Sequence, residues 1–148
     1  MGVLIEAGAN VDEASTDGGN SLMIAAENGH PEVVSVLLAA GAGVSVVDED
    51  KHTPLMKCSF AAGYGEEPGH VQACELLLKA DADLTATDVS GFTALMWAAR
   101  GGNVALITVL VDAGADMCIT TQTGASALLL AAAAGHAEAV EILTTMLV

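Results

Sequence analysis

Two aspartates separated by one residue are the candidates for catalysis in this sequence. Asp81 and Asp83 follow the apolar run Leu76–Leu78. One carboxylate of such a pair can act as a nucleophile and the other as a general acid, with Mg²⁺ held between them. The pair therefore raises the hypothesis of an Mg²⁺-dependent phosphatase, which the surrounding elements must support.

A second group of carboxylates does not fit a calcium loop. Asp48, Glu49 and Asp50 are consecutive. An EF-hand loop that starts at Asp48 requires Gly at its sixth position and Glu at its twelfth, where this chain has Thr53 and Ser59. We interpret the three acidic residues as a turn.

The histidines are spaced as structural residues would be. His30, His70 and His136 each follow a glycine and occur at the same place in a repeating pattern. Because no cysteine or histidine stands at a separation typical of metal ligands, the sequence predicts no metal ion and no cofactor. His52 lies in a predicted turn and is expected to be a surface residue.

Composition limits the function further. The chain has 148 residues, a net charge of −15, and 53% hydrophobic but only 3% aromatic residues. This acidity repels phosphate backbones and anionic membranes, which argues against nucleic-acid binding. Mean hydropathy is +0.55, but polar residues break the longest uncharged stretch, 117–137, so no membrane insertion is predicted. Three cysteines without a paired motif and no signal-peptide pattern favour a reducing, intracellular location, cytoplasmic or nuclear.

A repeating pattern with a period of 33 organises the chain. A leading leucine recurs at Leu22, Leu55, Leu95 and Leu128, and the middle interval is longer than the other two, which are equal. A glycine recurs at Gly29, Gly69, Gly102 and Gly135, and here the first interval is the long one. In each series one interval exceeds the others by seven residues, which indicates a seven-residue insertion. The two long intervals overlap only between Leu55 and Gly69, so the insertion lies there.

Each repeat has the signals of two short helices and a turn. Residues able to cap a first helix recur two positions before the leading leucine, at Asn20, Thr53, Thr93 and Ser126. Pro54 stands at a first helical position, where its missing N–H costs nothing. Gly41 and Gly114 stand where a second helix ends in a left-handed residue, and Asp81 must take the same conformation. Stacking of neighbouring units then supplies the core.

These units resemble ankyrin repeats. The resemblance rests on the segments 20–30, 53–56 and 93–99, on Gly135-His136, and on Gly114-Ala-Asp116. It implies an all-α solenoid of helix-turn-helix repeats joined by short β-hairpin turns. The predicted units are a partial leading repeat at 1–16, then repeats at 17–49, 50–89, 90–122 and 123–148. Methionine or leucine replaces the family's histidine after the leading leucine, so apolar packing is expected there.

The repeat also bears on the two candidate catalytic aspartates. Asp81 and Asp83 are similar to the nucleophile motif of haloacid-dehalogenase-type phosphatases. However, the repeat register aligns them with the turns that begin at Gly41 and Gly114, which lack the pair. The sequence therefore predicts no enzyme, and the phosphatase remains the alternative.

The resemblance implies that a partner binds the concave surface, which is formed by turn tips and the exposed side of the first helices. By repeat position, the tips contribute Asp17, Glu49, Asp50, His52, Val89, Ser90, Phe92 and Gln122. The ends of the first helices contribute Glu27, Asn28, Phe60 and Arg100. The insertion at 61–67 adds Tyr64, Glu66 and Glu67, and it is either functional or an inert lengthening of a loop.

Two aromatic residues have different expectations. Phe92 is either an anchor presented to a partner or a side chain folded back onto its neighbouring turn. Trp97 aligns with Ile24 and Leu130 and is expected to pack between repeats.

The sequence thus predicts a non-catalytic protein–protein interaction module, a scaffold or targeting unit that binds a protein or peptide. Acidic tips favour a Lys/Arg-rich partner, although acidic residues on second helices spread the charge around the molecule. A structural spacer in a longer array is the remaining alternative. The apolar segment Ile142–Val148 lacks the polar face of an end repeat, so we expect the chain to be part of a longer array.

Overall fold

The computed structural model describes residues 11–61 and 68–147. Within these ranges the chain forms helices and turns and no strand, and the helices follow one another as four pairs. In chain order they are α1 (Ser21–Glu27), α2 (Pro31–Ala39), α3 (Pro54–Ala61), α4 (Pro68–Lys79), α5 (Ala94–Gly101), α6 (Val104–Asp112), α7 (Ala127–Ala133) and α8 (Ala137–Met146). The all-α repeat solenoid predicted from the sequence is confirmed. None of the described helices combines the length and the apolar character that crossing a membrane requires.

The first helix of each pair begins where the sequence predicts. The four capping side chains accept a hydrogen bond from the backbone N–H three residues later, at 3.0 to 3.3 Å. These capping residues are Asn20, Thr53, Thr93 and Ser126. Each bond satisfies an amide that the helix itself leaves without an acceptor, so the sequence fixes these four starts locally.

Three of the four second helices, α2, α4 and α6, are followed by a left-handed residue. Gly41 has φ of +90° and Gly114 has φ of +104°, as the sequence predicts. Asp81 takes the same conformation with φ of +66°, which an aspartate tolerates better than most residues. The same turn is thus built in all three places.

Two histidines connect their repeats to the preceding ones. Nε2 of His70 donates to the carbonyl oxygen of Glu27 at 2.9 Å, and Nε2 of His136 donates to that of Arg100 at 3.0 Å. A Cβ atom on Gly102, whose φ is +75°, would lie 2.5 Å from the His136 ring. The repeat position of His70 and His136 is therefore structural, as predicted.

The repeat with the insertion departs from this pattern. Here α4 begins at Pro68, so Gly69 and His70 lie in its first turn, whereas His30 and His136 cap α2 and α8 from outside. Proline is favoured in the first turn of a helix, and here it starts the helix early. Glycine is still needed at 69, because a Cβ atom there would lie 2.2 Å from the carbonyl oxygen of Gly29.

The core lies between stacked pairs and within them. Leu22, Leu55 and Leu95 are buried, and so are the methionines that follow them. The apolar packing expected at Met23, Met56 and Met96 is confirmed. Cys58 and Cys74 are buried as free thiols, and burial raises the pKa of Cys58 to about 12.

Candidate partner-binding site

We call the turn tips and the first-helix ends together the tip face. Its backbone is joined from one repeat to the next. The N–H of Glu49 donates to the carbonyl oxygen of Asp17 at 3.0 Å, and that of Val89 donates to Asp50 at 3.0 Å. Gln122 donates from its side chain to the carbonyl oxygen of Val89 at 2.9 Å. The tips are therefore held at fixed positions relative to one another.

Two aspartates shape the tips from inside. Oδ1 of Asp48 accepts from the N–H groups of Asp50 and His52, at 3.0 and 2.9 Å. Oδ1 of Asp88 accepts in the same way from Ser90 and Phe92, at 2.9 and 3.0 Å. Partial burial acts to raise the pKa of Asp48, but the hydrogen bonds from the backbone and ring of His52 and from Lys57 together lower it.

His52 joins these two aspartates across the boundary between repeats. Its Nδ1 lies 3.1 Å from Oδ2 of Asp48, and its Nε2 lies 3.4 Å from Oδ2 of Asp88. Nζ of Lys57 lies 3.2 Å from the same Asp48 oxygen. The sequence predicts a surface histidine, but only 23% of this side chain is exposed, because both ring nitrogens face carboxylates. His52 is therefore a half-buried residue at the surface.

Three aromatic rings, Phe60, Phe92 and Trp97, form what we call the aromatic cluster. Trp97 lies edge-to-face with Phe60, with ring centroids 4.9 Å apart, and tilted against Phe92 at 4.6 Å. Its Nε1 donates to Oδ2 of Asp88 at 3.0 Å, and its ring also contacts His52. Trp97 therefore packs between repeats, as predicted.

Phe92 folds onto Trp97 instead of extending into solvent. The sequence leaves open an exposed anchor or a ring folded onto the neighbouring turn, whereas the structure packs the ring on Trp97 of α5 and leaves Phe92 partly exposed. Phe60 keeps 37% of its surface exposed. The guanidinium carbon of Arg100 lies 5.9 Å from the Phe92 centroid and 5.6 Å from that of Trp97, a distance at which cations and aromatic rings attract.

The other predicted site residues differ in their exposure. The exposed ones are Asp17, Asn28, Glu49, Asp50, Val89, Ser90, Arg100 and Gln122. Glu27 is half-buried, and Oδ1 of Asp17 accepts from its own turn, where the Ser15 hydroxyl lowers its pKa. Tyr64, Glu66 and Glu67 lie outside the described residues.

Sequence reasoning missed the part that Asp88, Trp97 and Lys57 take in this surface. The repeat could have identified Asp88, because Asp88 lies as far after Asp48 as Leu95 lies after Leu55. The two aspartates therefore occupy equivalent positions in successive repeats. The indole-to-carboxylate bond has no comparable signal, because it depends on the rotamers of both side chains.

The two candidate catalytic aspartates belong to a turn. Oδ1 of Asp83 accepts from the N–H and the hydroxyl of Thr85, at 2.8 and 2.7 Å, and these bonds lower its pKa. Asp116, at the equivalent place, accepts from the N–H of Cys118 at 2.8 Å. Asp83 and Asp116 therefore have the same role, which is to accept a hydrogen bond from the backbone N–H two residues later in the turn. Across 11–61 and 68–147, no group of three acidic, histidine or cysteine side chains is arranged to hold a metal ion.

Comparisons with known proteins agree with this architecture. The family described as ankyrin repeats (3 copies) matches residues 2–88 and 60–146. The chain is 42% identical over 87 residues, 58% of its length, to the ankyrin repeat and KH domain-containing protein mask-1 of Caenorhabditis elegans. Over 104 residues, 70% of its length, it is 36% identical to the ankyrin repeat, SAM and basic leucine zipper domain-containing protein 1 of Echinops telfairi, and equally to that of Mus musculus.

These relatives are much longer proteins. The matched segment spans 3% of the nematode protein and 21% of each of the two mammalian ones. What the chain shares with them is the repeat array. Together with the helix pairs, the capped first helices and the stacked core, these matches show that this chain belongs to the ankyrin repeat family.

Proposed function

We propose that this array is a non-catalytic recognition module, a scaffold or targeting unit, that binds a protein or peptide on its tip face. Ankyrin repeats are protein–protein interaction modules, and the family is generally non-catalytic. The observation that carries the proposal is the aromatic cluster, a partly exposed group of rings on a face whose backbone is tied from tip to tip. Aromatic side chains are the usual anchors of protein interfaces.

Charge favours a partner rich in lysine or arginine. Asp17, Glu49 and Asp50 are exposed on the tips, and the chain as a whole carries −15. Opposite charge on the partner would accelerate association and orient it on this face. Exposed acidic residues also lie on second helices, Glu138 and Glu141 among them, so overall acidity alone does not single out the tip face.

A pair of matched variants tests whether the tip face is the binding site. Glu49→Lys with Asp50→Lys reverses two charges on a tip, and Glu138→Lys with Glu141→Lys reverses two on α8. Proteins captured from a cell lysate by the wild type are expected to be retained by the α8 variant, lost by the tip variant, and released as salt rises. Equal capture by all three proteins, at every salt concentration, would contradict the proposal. Deletion of 62–67 in a further variant tests whether the insertion takes part.

A second candidate function, a spacer within a longer array, is favoured by one observation. Met23, Met56 and Met96 are buried between stacked repeats, whereas 57% of the equivalent Leu129 is exposed. We propose that this apolar face packs against a further repeat. The 148-residue chain is then expected to self-associate in sedimentation experiments, and Leu129→Glu to reduce that association. A wild-type monomer of high thermal stability would argue against it.

We also propose an intracellular location, cytoplasmic or nuclear. The three cysteines are free, and two of them are buried within the repeats. A reducing compartment keeps such thiols unpaired. Imaging of a tagged chain in cells tests this, and its accumulation in the secretory pathway would contradict it.

A further inference from the structure

We propose that Arg100 occupies, in the unbound protein, the place of a partner's arginine side chain, which stacks on Trp97 and Phe92 when the partner binds. This inference rests on the proposed function, because it names the chemical group that the tip face recognises. Arg100 then competes with the partner's arginine for the same place on the two rings, so its removal is expected to strengthen binding.

The geometry shows that the two rings accept a guanidinium group. Arg100 is exposed, yet its guanidinium carbon lies close to both ring centroids, at 5.9 Å from Phe92 and 5.6 Å from Trp97. Within 11–61 and 68–147, the ion pairs involve His52 and Lys57, and Arg100 belongs to none of them. A long exposed side chain held mainly by its contact with rings can be exchanged for another at little cost.

The rings are fixed before any partner arrives. Trp97 is held at its nitrogen by Asp88 at 3.0 Å, and edge-to-face by Phe60 and His52. Because the indole orientation is set inside the protein, an incoming side chain does not have to order it. A carboxylate at the indole N–H also adds negative potential near the ring, which strengthens the attraction for a cation.

The surroundings select a cation as the partner group. The N–H of Val89 is bonded to the carbonyl of Asp50, so the exposed Asp50 and Glu49 lie on the tip beside the one that carries Phe92. An acidic partner that paired with Arg100 would meet these carboxylates. An arginine of the partner would be attracted by these carboxylates, whereas Lys51 and Lys57 of the neighbouring repeat, of which Lys57 is already paired with Asp48, and Arg100 would repel it.

Trp97 is the single tryptophan of the chain, so its fluorescence reports on this place directly. We would titrate an arginine-containing glycine–serine peptide, and the same peptide with glutamine for arginine, into the wild type and two variants. Arg100→Gln and Lys79→Gln each remove one positive charge from an exposed side chain, but Lys79 lies on α4. Circular dichroism verifies that both variants fold.

The arginine peptide is expected to change Trp97 emission and to bind Arg100→Gln roughly two- to fivefold more tightly than the wild type. Lys79→Gln should bind like the wild type, and Phe92→Leu more weakly. The glutamine peptide should leave the emission unchanged in every protein.

Equal affinities for Arg100→Gln and Lys79→Gln, or weaker binding by Arg100→Gln, would overturn the inference. So would an arginine peptide that changes Trp97 emission in none of the proteins. In either case the proposed function keeps its own test, since the capture experiment with the Glu49 and Asp50 variant does not depend on Arg100.

Discussion

The repeats at 90–122 and 123–148 share one backbone design but differ in what covers it. Thr93 and Ser126 cap their first helices with the same hydrogen bond, and the following turns are built alike. Met96, however, is 1% exposed, and Leu129, at the equivalent place, is 57% exposed. The same local sequence signals therefore produce a buried position in one repeat and an open apolar one in the next.

The tip-face residues differ more than the caps do. The earlier repeat, together with its preceding tip, carries an acidic, aromatic and basic set: Asp88, Phe92, Trp97 and Arg100. The later repeat has small or neutral residues at the same positions: Thr121, Ala125, Leu130 and Ala133. Since both sets support the same turn, the aromatic and charged residues are not required by the fold. This difference locates the recognition surface that we propose in the middle of the array.

The largest expected effect is a difference in the free energy of unfolding between variants at Met96 and at Leu129, the residues that follow the leading leucines. Met96→Ala removes a fully buried side chain and is expected to lower the free energy of unfolding by about 3 kcal/mol. Leu129→Ala is the matched control and should cost less than about 1 kcal/mol, because more than half of Leu129 is already in water. Urea denaturation followed by circular dichroism measures both. Similar costs for the two variants would show that Leu129 is buried in solution.

Trp97→Leu gives the repeat at 90–122 the leucine that the repeat at 123–148 has at the equivalent position, Leu130. It removes the contacts with Phe60 and Phe92 and leaves Asp88 without its indole donor, so we expect a loss of about 2 kcal/mol. A change below about 0.5 kcal/mol in thermal or urea unfolding would mean that the aromatic cluster contributes little to the stacking of repeats.

Asp88→Thr makes the equivalent exchange at the tip, since Thr121 caps the later tip by accepting from the N–H of Ala125 at 3.1 Å. Threonine can replace one of the bonds to the tip backbone but leaves the indole N–H unpaired, for a cost of about 1 kcal/mol. A double-mutant cycle with Trp97→Leu should give a coupling of similar size. Strictly additive effects would contradict the indole-to-carboxylate bond.

The smallest expected effect is a dependence on pH at the tip formed by Asp48. Against the effect of burial, hydrogen bonds from His52 and Lys57 together hold the pKa of Asp48 below its unfolded value of about 3.9. The carboxylate therefore stabilises the folded state above about pH 4, and this contribution is lost as the pH falls through the folded pKa. Asp48→Asn should flatten the loss of stability in acid, as measured by urea unfolding at a series of pH values. If the free energy of unfolding falls with pH as steeply in Asp48→Asn as in the wild type, Asp48 does not contribute to the acid sensitivity.

The sequence predicts local features better than contacts between repeats. The caps, the left-handed Asp81 and the repeat period follow from nearby residues, because each depends on the chemistry of one turn. The early start of α4 has no signal in the repeated pattern, because Asn28 and Gly101 occupy the places equivalent to Pro68. The position of His52 between two aspartates was also missed, because it depends on how closely two tips approach.

The most direct test of the central claim maps where a basic ligand contacts the folded chain. Amide and indole N–H chemical shifts would be recorded by NMR while the arginine-containing peptide is added. We predict that the shifts change at the tips Asp48–His52 and Asp88–Phe92 and at the indole of Trp97. Changes confined to second helices, such as those carrying Glu75 and Glu138, would contradict recognition on the tip face.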